Sequence, residues 1–129
     1  MKKAIKKIKE RIEVFEEMDM LMDFISISKK SYKEPKELIS VFCEEMFILL
    51  LQETVLISEE AYELAARNKK EIDNIRTLFE NYLTSVSTCR ENAVELVKQA
   101  EKEQREYVTT LTIEQMVESL DDMDKIEVK

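Results

Sequence analysis

The sequence predicts an all-α protein: an antiparallel helical bundle of about four long helices plus a short C-terminal helix, with coiled-coil-like heptad packing. Hydrophobic residues make up 44% of the 129 residues and charged residues 37%, a balance typical of amphipathic helices. The chain has no glycine and one proline, Pro35, so few positions favour a turn. Apolar residues recur at spacings of three and four along most of the chain, which is the period of a helix with one buried face.

The first predicted helix runs from Lys2 to about Ile27. Its apolar face consists of Ile5, Ile8, Ile12, Phe15, Met18, Met22 and Ile25. The stretch from Lys2 to Arg11 contains six basic residues and one acidic residue, Glu10, whereas every charged residue in 13–23 is acidic. Basic residues at the start of a helix oppose its dipole. We therefore expect compensation from a second, antiparallel copy or from the acidic end of the same chain. A basic face that is simply exposed to solvent and docking on an anionic surface are the alternatives.

A second helix is predicted to begin near Pro35, because proline fits the first turn of a helix and excludes its predecessor from helical torsions. Apolar residues surround this segment on nearly every side as far as Ile57, which indicates a central, buried helix. Three neighbouring helices cannot easily enclose it. We expect a partner or a second copy to cover part of its surface.

From Ala61 onward the apolar positions alternate in steps of four and three, as in a coiled coil. This heptad seam comprises Ala61, Ala65, Asn68, Ile72, Ile75, Phe79, Tyr82, Val86, Cys89, Ala93, Leu96 and Ala100. Asn68 either fixes the register from a buried position or lies at a hydrated end of the seam. Residues 84–88 are rich in hydroxyl side chains, and Thr88 with Glu91 forms a capping-box pattern. Both features favour a turn at this point. The alternative is one continuous helix from Ser58 to Val108, about 75 Å long.

The last helix is predicted to start at Thr112, where Thr112 and Gln115 form a second capping-box pattern. A short apolar face follows as far as Leu120. We predict one helical-bundle domain over residues 1–120 and an acidic, flexible tail over residues 121–129.

The absence of histidine and glycine from the sequence excludes several kinds of active site. Without histidine there is no Ser-His-Asp or Cys-His relay and no HExxH zinc site. Without glycine, phosphate-binding loops and nucleophile elbows lack the residue on which they depend. Cys43 and Cys89 lack CxxC spacing and are interpreted as small apolar residues in a reducing compartment. We predict no cofactor and no catalytic residue.

One group of carboxylates, Glu59, Glu60 and Glu63, has a spacing that could bind a divalent cation from one helical face. The segment Glu59-Glu60-Ala61-Tyr62-Glu63 resembles the first half of the EExxE…ExxD signature of MazG-type all-helical nucleoside triphosphate pyrophosphohydrolases. The resemblance implies a magnesium-dependent activity, but the aspartate of the second half is missing from the following helix. The simpler interpretation is that Ser58 caps a helix whose first turns contain these acids.

The function expected from the sequence is a non-catalytic protein–protein interaction module, such as an adaptor, inhibitor or antagonist, that also self-associates as a homodimer. The expected interface residues are Ile5, Ile8, Ile12, Met18, Met22, Asn68, Ile72, Ile75, Phe79 and Tyr82. The alternatives are the MazG-like hydrolase and an acidic mimic of nucleic acid; the net charge of −8 disfavours direct nucleic-acid binding. We expect a cytoplasmic protein with no membrane span. A composition rich in Lys, Glu and Ile suggests an AT-rich genome or mobile element.

Overall fold

The computed structural model describes residues 2–17, 35–85 and 92–127 of the chain. Within these ranges every regular element is a helix, and the order is α1 (Lys2–Glu17), α2 (Pro35–Ser58), α3 (Tyr62–Ser85), α4 (Ala93–Val108) and α5 (Ile113–Glu127). The helices pack against one another around one apolar core. The predicted all-α helical bundle is therefore confirmed.

Helix α1 is amphipathic, as its spacing predicts. Ile8 and Ile12 are its buried residues, and Ile5 and Phe15 pack against the core from half-buried positions. The helix is described as far as Glu17. The predicted continuation to residue 27 lies outside the described residues.

Helix α2 occupies the centre of the bundle and packs against each of the other four helices. It begins at Pro35, as predicted. Seven of its apolar side chains are buried: Phe42, Met46, Leu49, Leu50, Leu51, Val55 and Leu56. Five others are only half-buried, three of them in the N-terminal half and two just past its midpoint: Ile39, Val41, Cys43, Phe47 and Ile48. Four neighbouring helices thus enclose the C-terminal half of α2 more completely than its N-terminal half.

Helices α2 and α3 form an antiparallel hairpin. Near the connecting turn Gln52 contacts Asn68, and farther from it the rings of Phe42 and Phe79 meet edge to face, 5.2 Å apart between centroids. Edge-to-face contact places the positive edge of one ring against the negative face of the other. These two contacts fix the register of the hairpin.

Helices α3 and α4 are separate and pack against each other, so the alternative of one continuous helix is wrong. Arg76 Nε of α3 lies 2.7 Å from Glu101 Oε1 of α4, whereas 25 residues of unbroken helix would separate them by about 38 Å. Thr84 belongs to α3, and residues 86–91, with the proposed cap Thr88 and with Cys89, lie outside the described residues. The residue before α4 is Asn92, whose side chain makes no capping hydrogen bond.

Helix α4 keeps two of its predicted seam positions in the core and replaces the third. It buries Ala93, Val97, Ala100 and Val108. Leu96, which the seam places in the core, is 37% exposed. The seam prediction is therefore wrong for Leu96, and the adjacent Val97 is buried instead.

Helix α5 begins with the predicted capping box. The Thr112 N–H donates to Gln115 Oε1 (2.9 Å), and the Gln115 N–H donates to Thr112 Oγ1 (3.1 Å), which satisfies two of the donors that a helix start leaves free. The helix continues to Glu127, past the predicted domain boundary at Leu120. Asp121 lies 3.4 Å from Lys7 Nζ, so the acidic end of the chain supplies part of the compensation expected for the basic start of α1.

Candidate functional site

The residues predicted as an interface lie mainly inside the chain's own core. Ile8, Ile12, Ile72, Ile75 and Phe79 are at most 2% exposed. In this structure they stabilise the folded monomer and offer no surface to a partner. Ile5 and Tyr82 are half-buried against the same core, while Met18 and Met22 lie outside the described residues.

Asn68 is fully buried, which favours the first of its two interpretations. Its Oδ1 accepts a hydrogen bond from Gln52 Nε2 (2.8 Å), and its Nδ2 donates to the Leu49 carbonyl oxygen (2.9 Å). A buried amide is tolerated only where such partners exist. Asn68 therefore holds α2 and α3 in one register. Gln52, whose Oε1 has no hydrogen-bond partner, was missed by the sequence analysis; the signal available was an uncharged amide directly after the apolar run from Met46 to Leu51.

Glu71, one turn after Asn68, is the one carboxylate that is buried among the described residues. It is 4% exposed, and its Oε2 has no hydrogen-bond partner. Burial raises the pKa of Glu71, a hydrogen bond with Asn74 opposes the rise, and the charge of Glu16 adds to it. No pattern in the sequence marks Glu71, since it follows a run of surface charges.

An ion-pair network joins α2, α3 and α4 on another side of the bundle. Glu101 accepts two hydrogen bonds from Arg76 (2.7 and 3.0 Å) and one from Arg105 (3.0 Å). Arg105 Nη1 also lies 3.3 Å from Glu53 Oε1. Burial raises the pKa of Glu101, but the hydrogen bonds from the two arginines outweigh burial and hold that pKa below its ordinary value. The network contributes to helix packing and leaves no open coordination position.

The turn between α2 and α3 is a Schellman motif built without glycine. The Ala61 N–H donates to the Leu56 carbonyl (2.9 Å), and the Glu60 N–H donates to the Ile57 carbonyl (3.1 Å), the two bonds that define this motif. Glu60 has φ of 58°, a region that glycine normally occupies. Ser58 is the last residue of α2, and its Oγ donates to Val55. The prediction that Ser58 caps the next helix is therefore wrong.

The same turn exposes apolar and acidic side chains together. Ile57 is 50% exposed and Tyr62 63% exposed, and the carboxylates of Glu59, Glu60 and Glu63 are exposed around them. We call these five residues the turn surface. Next to it, Arg67 makes a bidentate pair with Glu16 of α1. The charges of Glu13 and Glu63 act on the same arginine.

The three carboxylates of the turn do not form the helical ligand pair that the MazG-type resemblance implies. Glu60 lies between the helices in a left-handed conformation, so the prediction that Glu60 and Glu63 share one helical face is wrong. Across the described ranges, no group of three or more Cys, Asp or Glu side chains is placed to hold a metal ion.

A shallow cleft of only about 10 Å³ lies between α1 and α5. Its lining residues are Ala4, Lys7, Ile8, Arg11, Val117, Leu120 and Asp121. The Arg11 Nη2 donates to the Leu120 carbonyl (2.8 Å) and Lys7 pairs with Asp121. These polar groups thus bind each other across the cleft.

Comparison with protein-family models, with curated proteins and with solved structures finds no match to this chain. In the described helices, none is long and apolar enough to cross a membrane. The function must therefore be inferred from the side chains themselves.

Proposed function

We propose that the protein is a small cytosolic, non-catalytic interaction module, an adaptor, inhibitor or antagonist, that binds another protein through the turn surface. The observation that carries this proposal is that two large apolar side chains, Ile57 and Tyr62, are exposed at one turn beside three exposed carboxylates. Tyr62 is the most exposed large apolar side chain among the described residues; the others that are exposed lie on α1 (Val14) and α4 (Val94, Leu96 and Tyr107). Tyrosine suits such a role because it offers a large apolar ring and a polar hydroxyl at low entropic cost.

The carboxylates around these two side chains indicate the character of the partner. Glu59, Glu60 and Glu63 surround the apolar pair with negative charge. Complementary charge around an apolar contact speeds association and rejects wrong partners. The expected partner surface is an apolar contact surrounded by lysine or arginine. The acidic-mimic hypothesis is the special case in which this partner surface is a nucleic-acid-binding groove.

The turn itself is suited to recognition because its shape is fixed from within. Two backbone hydrogen bonds close it, and the buried Asn68 contacts hold the first turns of α3 against α2. A surface that does not reorganise on binding loses less conformational entropy. Ile57 and Tyr62 therefore face a partner in a preorganised arrangement.

The test is affinity capture from the native cell lysate after nuclease treatment, with quantitative mass spectrometry. Three baits are compared: the wild type, the Ile57→Ser/Tyr62→Ser variant, and a control in which Val94 and Leu96, exposed apolar residues of α4, are changed to serine. We expect one protein to be recovered in stoichiometric amount with the wild type and with the control bait, and to be lost with the turn variant. Equal recovery by the turn variant and the wild type would contradict the proposal.

Ionic strength separates the two kinds of contact at this surface. A partner held mainly by charge is released as the Debye length falls from about 10 Å at 0.1 M salt to about 3 Å at 1 M, whereas apolar docking persists. Complete release at high salt, with a DNA-binding protein as the prey, would favour the acidic mimic. Pyrophosphate release from nucleoside triphosphates with magnesium, abolished by Glu63→Gln, would instead support the MazG-like alternative.

A further inference from the structure

The outer face of α1 carries a charge pattern that none of the contacts described so far explains. Six exposed residues, Lys2, Lys6, Lys9, Glu10, Glu13 and Glu17, lie on one continuous stripe opposite the buried Ile8 and Ile12, because their spacings of three and four return to the same side of a helix. The first half of the stripe is basic and the second half acidic. The 16 residues of α1 make the stripe about 24 Å long.

This order of charges destabilises an isolated helix. Helix α1 has no acidic residue in its first turn and no basic residue in its last turn, although acids favour the positive N-terminal end of the dipole and bases the negative C-terminal end. On the side of α1 that faces α5, Lys7 and Arg11 have partners in Asp121 and the Leu120 carbonyl. The exposed stripe faces away from that contact.

A second copy of α1, running antiparallel, complements the stripe at every position. In this arrangement, residues whose numbers add to 19 lie at the same height along the two helix axes. The pairs at equal height are Lys2 with Glu17, Lys6 with Glu13, and Lys9 with Glu10. Each pair occurs twice about the twofold axis, giving six pairs of opposite sign. A parallel copy would instead put like charges together.

We propose that α1 is a self-recognition helix, through which two copies of the chain associate antiparallel about a twofold axis. Such an interface is isologous, because the same stripe serves both copies. Exposed ion pairs are individually weak, and one face of one helix is smaller than the roughly 800 Å² per partner of standard stable interfaces. The association is therefore weak, reversible and sensitive to salt. It uses a different surface from the turn, so either proposal can fail without the other.

The experiment is sedimentation equilibrium of the full chain with two charge-swapped variants. One variant, Lys2→Glu/Lys6→Glu/Lys9→Glu, has a wholly acidic stripe; the other, Glu10→Lys/Glu13→Lys/Glu17→Lys, has a wholly basic stripe. The control, Lys69→Glu/Lys98→Glu/Lys102→Glu, makes the same change in net charge as the acidic variant, but at exposed positions of α3 and α4. Circular dichroism verifies that each variant is folded.

At about 1 mM protein and about 0.01 M salt we expect the wild type to dimerise and about 1 M salt to dissociate it. Each swapped variant alone should dimerise at least about tenfold more weakly, while an equimolar mixture of the two restores the dimer. The control should retain association closer to that of the wild type. A monomeric wild type, a mixture that stays monomeric, or a control as impaired as the swapped variants would overturn the proposal.

Discussion

Replacing Asn68 by alanine tests whether the buried amide contact fixes the α2–α3 register. The substitution removes two hydrogen bonds, one from Gln52 Nε2 (2.8 Å) and one to the Leu49 carbonyl (2.9 Å), each with a net contribution of about 1 kcal/mol. It also leaves Gln52 Nε2 buried without an acceptor, at a cost of at least about 1 kcal/mol. The expected loss is about 3 kcal/mol, out of a typical total stability of about 5–15 kcal/mol.

Removing both polar partners should have a much smaller effect than removing one. In the Gln52→Met/Asn68→Leu variant the shape of the contact is roughly kept, and the unsatisfied Gln52 Oε1 disappears as well. We expect this variant to unfold within about 1 kcal/mol of the wild type. Gln52→Met alone should cost less than Asn68→Ala, because it removes one unsatisfied atom while creating another.

The assay is urea unfolding followed by circular dichroism, at one protein concentration and at high salt so that self-association does not contribute. The single variant Asn68→Leu is measured as well, because it closes a double-mutant cycle with the wild type, Gln52→Met and the double variant; the cycle gives the coupling between positions 52 and 68. If Asn68→Ala lowers the free energy of unfolding by less than about 0.5 kcal/mol, or if the double variant is as unstable as Asn68→Ala, the amide contact does not stabilise the register.

Three further changes test the electrostatics and the turn. The pKa of Glu71 is raised from its ordinary value of 4.5. The native state therefore holds a proton that the unfolded state has released, and the free energy of unfolding falls as pH rises from about 4.5 through the folded pKa. In urea titrations from pH 4 to 8, Glu71→Gln should lack that decline and should be more stable than the wild type at pH 7. The pKa of Glu101 is lowered, so its contribution is present above the unfolded pKa and lost below the folded one; Glu101→Gln should destabilise the protein at pH 7, and the difference should vanish in acid. Glu60→Gly should raise the free energy of unfolding by about 0.5 kcal/mol, because relief of roughly 1 kcal/mol of left-handed strain exceeds the entropic cost of glycine; a measured loss of stability would contradict this reading of the turn.

Local patterns in the sequence predict the helices and several of their ends. The capping box of Thr112 and Gln115 is present because its two hydrogen bonds are made within four residues and need no tertiary contact. The start of α2 at Pro35 depends equally on local torsions. The central position of α2 follows from its apolar circumference, since such a helix can be stable only where others surround it.

Features that depend on tertiary packing were not predictable in the same way. Leu96 and Val97 are adjacent apolar residues that both fit a spacing of three or four between Ala93 and Ala100, and packing decides that Val97 is the buried one. Glu60 adopts the left-handed conformation because the packing of α2 against α3 requires a tight turn there and no glycine is available. The buried positions of Gln52 and Glu71 are likewise set by which neighbouring helix covers them. The turn surface could be recognised only once Ile57 and Tyr62 were seen to remain exposed.

Site-specific photo-crosslinking in the native cell tests the central claim, that the turn surface binds another protein, most directly. A photoreactive phenylalanine derivative is placed at Tyr62 in one variant and at Val94, exposed on α4, in another. We predict a covalent adduct with one other protein from position 62, with little or none from position 94. No adduct from position 62, or equal yields of the same adduct from both positions, would contradict the claim.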